Sequence, residues 1–78
     1  MKRIVVLGGA GDMARVACKR LAELRQDIHM VLADRYVERA RQRAAALGPA
    51  FSAQAIDVLD PRGLRLLIRG ASLVINAT

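Results

Sequence analysis

Seven residues near the amino terminus, Gly8-Gly9-Ala10-Gly11-Asp12-Met13-Ala14, have the types and spacing needed to hold a pyrophosphate. That group needs a tight strand-to-helix turn, bare backbone beside the phosphate oxygens, and a small residue where helix and strand cross. Gly9, Gly11 and Ala14 meet these needs as G-x-G-x-x-A. Gly8, Gly11 and Ala14 meet them equally as G-x-x-G-x-x-A, and both registers stay open. A helix starting at Asp12 adds unpaired N–H groups and the positive end of its dipole. The alternative is a glycine-rich turn without a ligand, and the position between a strand and a helix argues against it. No Gly-Lys-Ser or Gly-Lys-Thr follows, which argues against a nucleoside-triphosphate loop.

A second group sits 25 residues after Gly9, where Asp34 closes an apolar run. A carboxylate there accepts hydrogen bonds from adenosine ribose hydroxyls and repels a 2′-phosphate, which favours NAD over NADP. Arg35 pulls the other way, because a guanidinium beside that ribose holds a 2′-phosphate or stacks on adenine. NADP therefore stays possible. Asp34 as no more than a helix cap is the plain alternative. By the same geometry Asp57-Val58, at the end of the third apolar run, could reach the adenine edge, although Asp57 could simply begin a turn. Asn76-Ala77-Thr78 ends the fourth run, near the path of the nicotinamide half. His29 falls at the far end of its run, away from the site. Cys18 has no basic or metal-binding neighbours in sequence and is expected to be packing.

Placing these residues together requires particular elements. Arg3 to Leu7 is an apolar, β-branched run suited to a strand buried on both faces. From Asp12 to about Leu24, Met13, Val16, Ala17, Leu21 and Leu24 recur at steps that predict a helix with those residues on its apolar face. Ile28 to Ala33 predicts a second strand and Val37 to Leu47 a second helix, closed by Gly48-Pro49. Phe51 to Ile56 is the third strand. Asp60-Pro61 begins a short helix that ends at Gly70, and Leu73 to Ile75 is the fourth strand. Strands separated by helices return in parallel by right-handed crossovers. The expected fold is a Rossmann-like α/β domain over residues 1–78, with strand order 3-2-1-4 and helices on both faces of the sheet. Its reversal of direction puts a crevice at the carboxyl end of the first strand, where such sheets bind ligands.

Composition narrows the classes further. With 78 residues, 54% hydrophobic and 3% aromatic, the chain can build one aliphatic core and no second. No apolar run approaches the roughly 20 residues of a membrane span. The net charge of +6 raises nucleic acid as a partner. Against it, Arg35, Arg39, Arg41 and Arg43 spread around a helix as a solvated face, and Tyr36 and Phe51 alone could stack on bases. The single cysteine cannot form an internal disulfide, in keeping with the cytoplasm.

The runs Arg3 to Ala14, Val31 to Arg35, Ile56 to Asp60 and Leu73 to Thr78 together resemble the start of the saccharopine dehydrogenase-like family. The resemblance covers nearly the whole chain, although other Rossmann dehydrogenases share much of it. It implies the amino-terminal cofactor half of a longer enzyme, one that moves hydride between NAD or NADP and an amino-acid secondary amine or imine. It implies cofactor-site roles for Gly9, Gly11, Ala14 and Asp34, with Ala14 a tolerated departure from a third glycine, and it assigns no catalytic residue and no metal ligand here. The alternative is a dinucleotide-sensing module without chemistry, either a short-chain dehydrogenase-like regulator or a transport-gating subunit. An apolar edge at Leu73 to Ile75 would invite a homodimer.

Overall fold

The computed structural model describes residues 2–25 and 27–77. Its elements are β1 (Lys2–Leu7), α1 (Asp12–Leu24), β2 (Ile28–Asp34), α2 (Val37–Leu47), β3 (Phe51–Ala55), α3 (Pro61–Ile68) and β4 (Leu73–Asn76). The strands form one parallel sheet in the order β3-β2-β1-β4, as the sequence predicts.

Alternation along β1 sends its side chains to two cores. Ile4 and Val6 join Met30, Leu32 and the helix residues Ala14, Cys18, Ala40 and Ala44 on one face. Val5 and Leu7 join Val31, Ala33 and Leu67 of α3 on the other. Helices thus cover both faces. β1 and β2 are buried on both sides, which explains why they read as continuous apolar runs.

The α1 helix forms where expected but is partly rotated from its expected apolar face, of which Leu21 still packs against the first core. Met13, Val16 and Leu24 are 80%, 67% and 65% exposed, whereas Ala14 and Cys18 are fully buried. The side chains that meet the sheet are small, so the helix axis can approach it closely and dispersion contacts are kept. Volume at the crossing, more than hydrophobicity, sets the rotation of α1.

Helix ends are held by backbone chemistry and by one long-range side chain. Gly48 and Gly70 take positive φ after α2 and α3, the conformation glycine adopts most cheaply. Arg3 reaches across from β1 and donates to the Leu67 carbonyl at 2.7 Å and the Arg69 carbonyl at 3.2 Å, satisfying the last turn of α3. Asp60 stands at the N-cap of α3 before Pro61, but its side chain makes no capping bond. Leu67 is the one buried residue of α3. Leu67→Ala should cost about 2–4 kcal/mol by creating a cavity where that helix, with Leu64 and Ile68 beside it, packs on the second core. A urea denaturation midpoint measures this, and a loss well under 1 kcal/mol would mean that α3 contributes little to stability.

Candidate functional site

The turn after β1 is built on contacts with β2. Gly8 has φ of 78°, the left-handed conformation a tight strand-to-helix turn requires. Its N–H and that of Gly9 both donate to the Ala33 carbonyl, at 2.8 and 3.1 Å. Gly11 N–H then closes the turn on the Gly8 carbonyl at 3.0 Å. A Cβ on Gly9 would lie 2.7 Å from Leu32 Cβ and 2.8 Å from Leu32 Cα, so only glycine fits against that strand. The turn conformation therefore begins at Gly8, the start of the G-x-x-G-x-x-A spacing, while Gly9 is required for a separate reason.

Gly11 is the N-cap of α1 and offers no capping side chain. The helical ladder starts with Arg15 N–H on the Gly11 carbonyl, so the N–H groups of Asp12, Met13 and Ala14 lie ahead of it. These donors and the helix dipole make an anion-binding end. Ala14 is buried where α1 crosses the sheet, as the small-residue requirement predicts.

Asp34 closes β2 and bridges the turn to α2. Its Oδ2 accepts the Ala10 N–H at 3.1 Å and its Oδ1 accepts the Tyr36 N–H at 2.9 Å. From α2, Arg43 donates to the Gly9 carbonyl at 3.1 Å and also to the Gly11 carbonyl. The expectation of a purely solvated arginine face on α2 is corrected here, since Arg43 grips the glycine turn and Arg39 lines the site. Arg39 and Arg43 flank the buried Ala40 and Ala44 one helical turn apart. That spacing is the signal in the sequence that could have found them.

Beside the turn is a cleft of about 340 Å³ lined by Gly8, Ala10, Gly11, Ala33 to Tyr36, Arg39, Ile56, Val58 and Ala77. Tyr36, Arg39 and Ile56 were missed by sequence reasoning. The Arg35 and Arg39 guanidinium carbons lie 5.0 and 5.6 Å from the centre of the Tyr36 ring. The hydrogen bond from Arg35 to the Tyr36 hydroxyl, with smaller contributions from the charges of Asp57 and Asp34, raises the Arg35 pKa above its ordinary value. One end of the cleft is thus cationic and aromatic, and its floor is aliphatic.

Other expected residues fall outside the cleft lining. Gly9 is buried beneath the turn, and Met13 projects into solvent. Asp12 lines a neighbouring groove with Arg15, Arg39 and Arg43. Asp57 forms a turn, its Oδ1 accepting the Leu59 N–H at 2.9 Å, and its side chain belongs to a different depression beside Arg3 and Asp60. Asn76, the last residue of β4, pairs in register with Leu7 of β1 and is exposed. Thr78 lies outside the described residues. His29 sits away from the site and shares a 2.9 Å hydrogen bond with the Ser52 hydroxyl. Among the described residues, no three His, Cys, Asp or Glu side chains are grouped to hold a metal.

Cys18 is buried under α1, and burial pushes its thiol pKa up while the nearby Arg43 charge pulls it partly back. A neutral, buried thiol is a poor nucleophile. Cys18 should therefore resist an aromatic disulfide reagent at pH 8 in the folded chain and react fully in denaturant. Rapid stoichiometric labelling without denaturant would contradict this.

The parts fit a dinucleotide: an uncapped helix end for the pyrophosphate, an aliphatic cleft for adenosine, and a carboxylate between them. Solved structures of similar fold include menthone neomenthol reductase from Mentha piperita, with a TM-score of 0.80 and 24% identity, covering 99% of this chain and 31% of that one. A 3-hydroxyacyl-CoA dehydrogenase type-2 from Mycobacterium avium matches with a TM-score of 0.78 and 23% identity, over 97% of this chain and 32% of that one. Sorbitol-6-phosphate 2-dehydrogenase from Erwinia amylovora gives 0.79 and 21%, over 95% of this chain and 33% of that one. These likenesses establish the Rossmann-like fold, and the chain spans about a third of the length of each of the three. No curated protein sequence matches the chain. The profile of the saccharopine dehydrogenase NADP binding domain matches residues 4–78, and the chain belongs to that family of NAD(P)-binding domains.

Proposed function

We propose that the chain is the cofactor half of an oxidoreductase that transfers hydride between a nicotinamide and an amino-acid-type secondary amine or imine. The observation that carries the cofactor role is one continuous surface from the uncapped start of α1, across the glycine turn, to Asp34 and the cleft beside it, and the substrate class follows from the family. Bound there, the cofactor supplies the hydride chemistry, and this chain's residues bind and orient it. The α1 N–H groups meet the pyrophosphate, and Asp34 accepts from the adenosine ribose. Ile56, Val58 and Ala33 enclose the adenine, with Ala77 at the far rim. Catalytic and substrate-binding groups are supplied by chain beyond this domain. NAD is the favoured cofactor, because the Asp34 carboxylate opposes a 2′-phosphate, with Arg35 and Arg39 the groups that would accept NADP.

The test is an amide NMR titration with NAD and, separately, with NADP. Shifts at Gly8 to Ala14 and at Asp34 to Arg35, larger with NAD, are expected. Stronger shifts with NADP would transfer the ribose-phosphate role to Arg35 and Arg39, and no shift with either would remove the binding function from this domain. None of the described helices is long and apolar enough to cross a membrane. A cytoplasmic setting, where a lone thiol stays reduced, suits Cys18. Leu73 and Val74 are 50% and 38% exposed on the β4 edge, which supports pairing with a second copy. A strictly monomeric sedimentation profile at high concentration would exclude that pairing.

A further inference from the structure

We infer that Arg43 is a positioning residue for the pyrophosphate loop, orienting the backbone donors of the turn from behind. The inference rests on the dinucleotide reading of the site and adds a residue to it. In a trans peptide the C=O and N–H point in opposite directions. Arg43 donates to the Gly9 carbonyl, and the N–H of that same peptide, Ala10's, is the one that Asp34 accepts on the other side. Arg43 and Asp34 therefore hold a single peptide plane between a cation and an anion. Arg43 also donates to the Gly11 carbonyl, so the N–H of the Gly11–Asp12 peptide is turned away from α2. That N–H is the first of the unpaired donors at the start of α1.

Glycine-rich backbone is the least able to hold such an arrangement unaided, since glycine has the widest choice of φ and ψ. With Gly8, Gly9 and Gly11 in four residues, the turn depends on outside contacts for rigidity. The β2 carbonyl of Ala33 holds its entry, through Gly8 and Gly9 N–H. Arg43 holds its exit. A ligand meeting a preorganised loop avoids the entropy of ordering it. Arg43 has its two contacts on carbonyls of the loop, 32 and 34 residues away in sequence, so it brings α2, the loop and the ribose carboxylate into one unit.

The experiment compares the parent chain with Arg43→Met, which keeps the aliphatic stem and removes the donors, using ADP and adenosine as probes in NMR titrations. The expected result is about tenfold weaker binding of ADP, adenosine affinity unchanged within about twofold, and partial recovery in Arg43→Lys. Amide signals of Gly9, Ala10, Gly11 and Asp12 should shift in the unliganded variant. Parent-like ADP affinity in the variant, or equal losses for ADP and adenosine, would overturn the positioning role. If Arg43→Met does not fold, Arg43→Gln takes the same comparison, with a selective loss of ADP binding supporting the role and parent-like affinity overturning it. A parent chain that binds neither probe defeats the dinucleotide reading and this role together, whereas a binding parent with an indifferent variant defeats this role alone.

Discussion

Gly9→Ala is expected to destabilise the domain by about 3 kcal/mol or more and to abolish dinucleotide binding. The new Cβ would stand 2.7 Å from Leu32 Cβ and 2.8 Å from Leu32 Cα. Leu32 is fully buried in the central strand β2, so neither the side-chain base nor the backbone can move aside without breaking the sheet. The turn must lift instead, losing the Gly8 and Gly9 bonds to the Ala33 carbonyl and moving the start of α1. Gly11→Ala is the control, because its Cβ would meet only the Gly8 carbonyl oxygen at 3.3 Å and its extended backbone suits any residue. That change should cost about 1 kcal/mol or less. Urea denaturation of both variants, with NAD and NADP titrations, checks the contrast. Equal stabilities for the two would show that the turn is free to move away from β2.

Asp34→Asn is expected to shift the preference between NAD and NADP by about tenfold toward NADP and to lower stability by about 1–2 kcal/mol. The carboxylate accepts two backbone N–H groups, one on each oxygen, from Ala10 and Tyr36. An amide can accept on one side only and turns a donor toward the other N–H. Removing the negative charge also takes away repulsion of a 2′-phosphate while Arg35 and Arg39 stay at the cleft. Dissociation constants for both dinucleotides, measured in parent and variant at one ionic strength, supply the ratio. An unchanged ratio would mean that the charge of Asp34 does not set the choice of cofactor, and that its role is to hold the turn.

Much of the fold was legible because short-range signals agreed with one another. Glycines followed the first apolar run, Asp34 closed the second, and Gly48 and Gly70 marked helix ends where positive φ is indeed found. Parallel return of strands separated by helices then left few topologies, and the order β3-β2-β1-β4 was among them. Less legible was the direction in which each helix faces. In α1 the sequence put Met13, Val16 and Leu24 on the same apolar stripe as Leu21, but of these only Leu21 packs against the core. In α2 the arginines masked a narrow buried line at Ala40 and Ala44, and with it the inward placement of Arg43.

By itself, then, the sequence determined the order of elements, the position of the glycine turn between strand and helix, and the carboxylate at the end of β2. These depend on neighbours within a few residues, where backbone conformation and hydrophobic period are set. Only the tertiary structure gave Gly8 its positive φ and Gly9 its close approach to Leu32, placed Tyr36, Arg39 and Ile56 in the cleft, and separated Asp57 and Asn76 from its lining. Such choices depend on how closely two elements pack. The gap between Gly9 and Leu32, and the reach of Arg43 to the turn, are set by packing across 23 and more than 30 residues of chain.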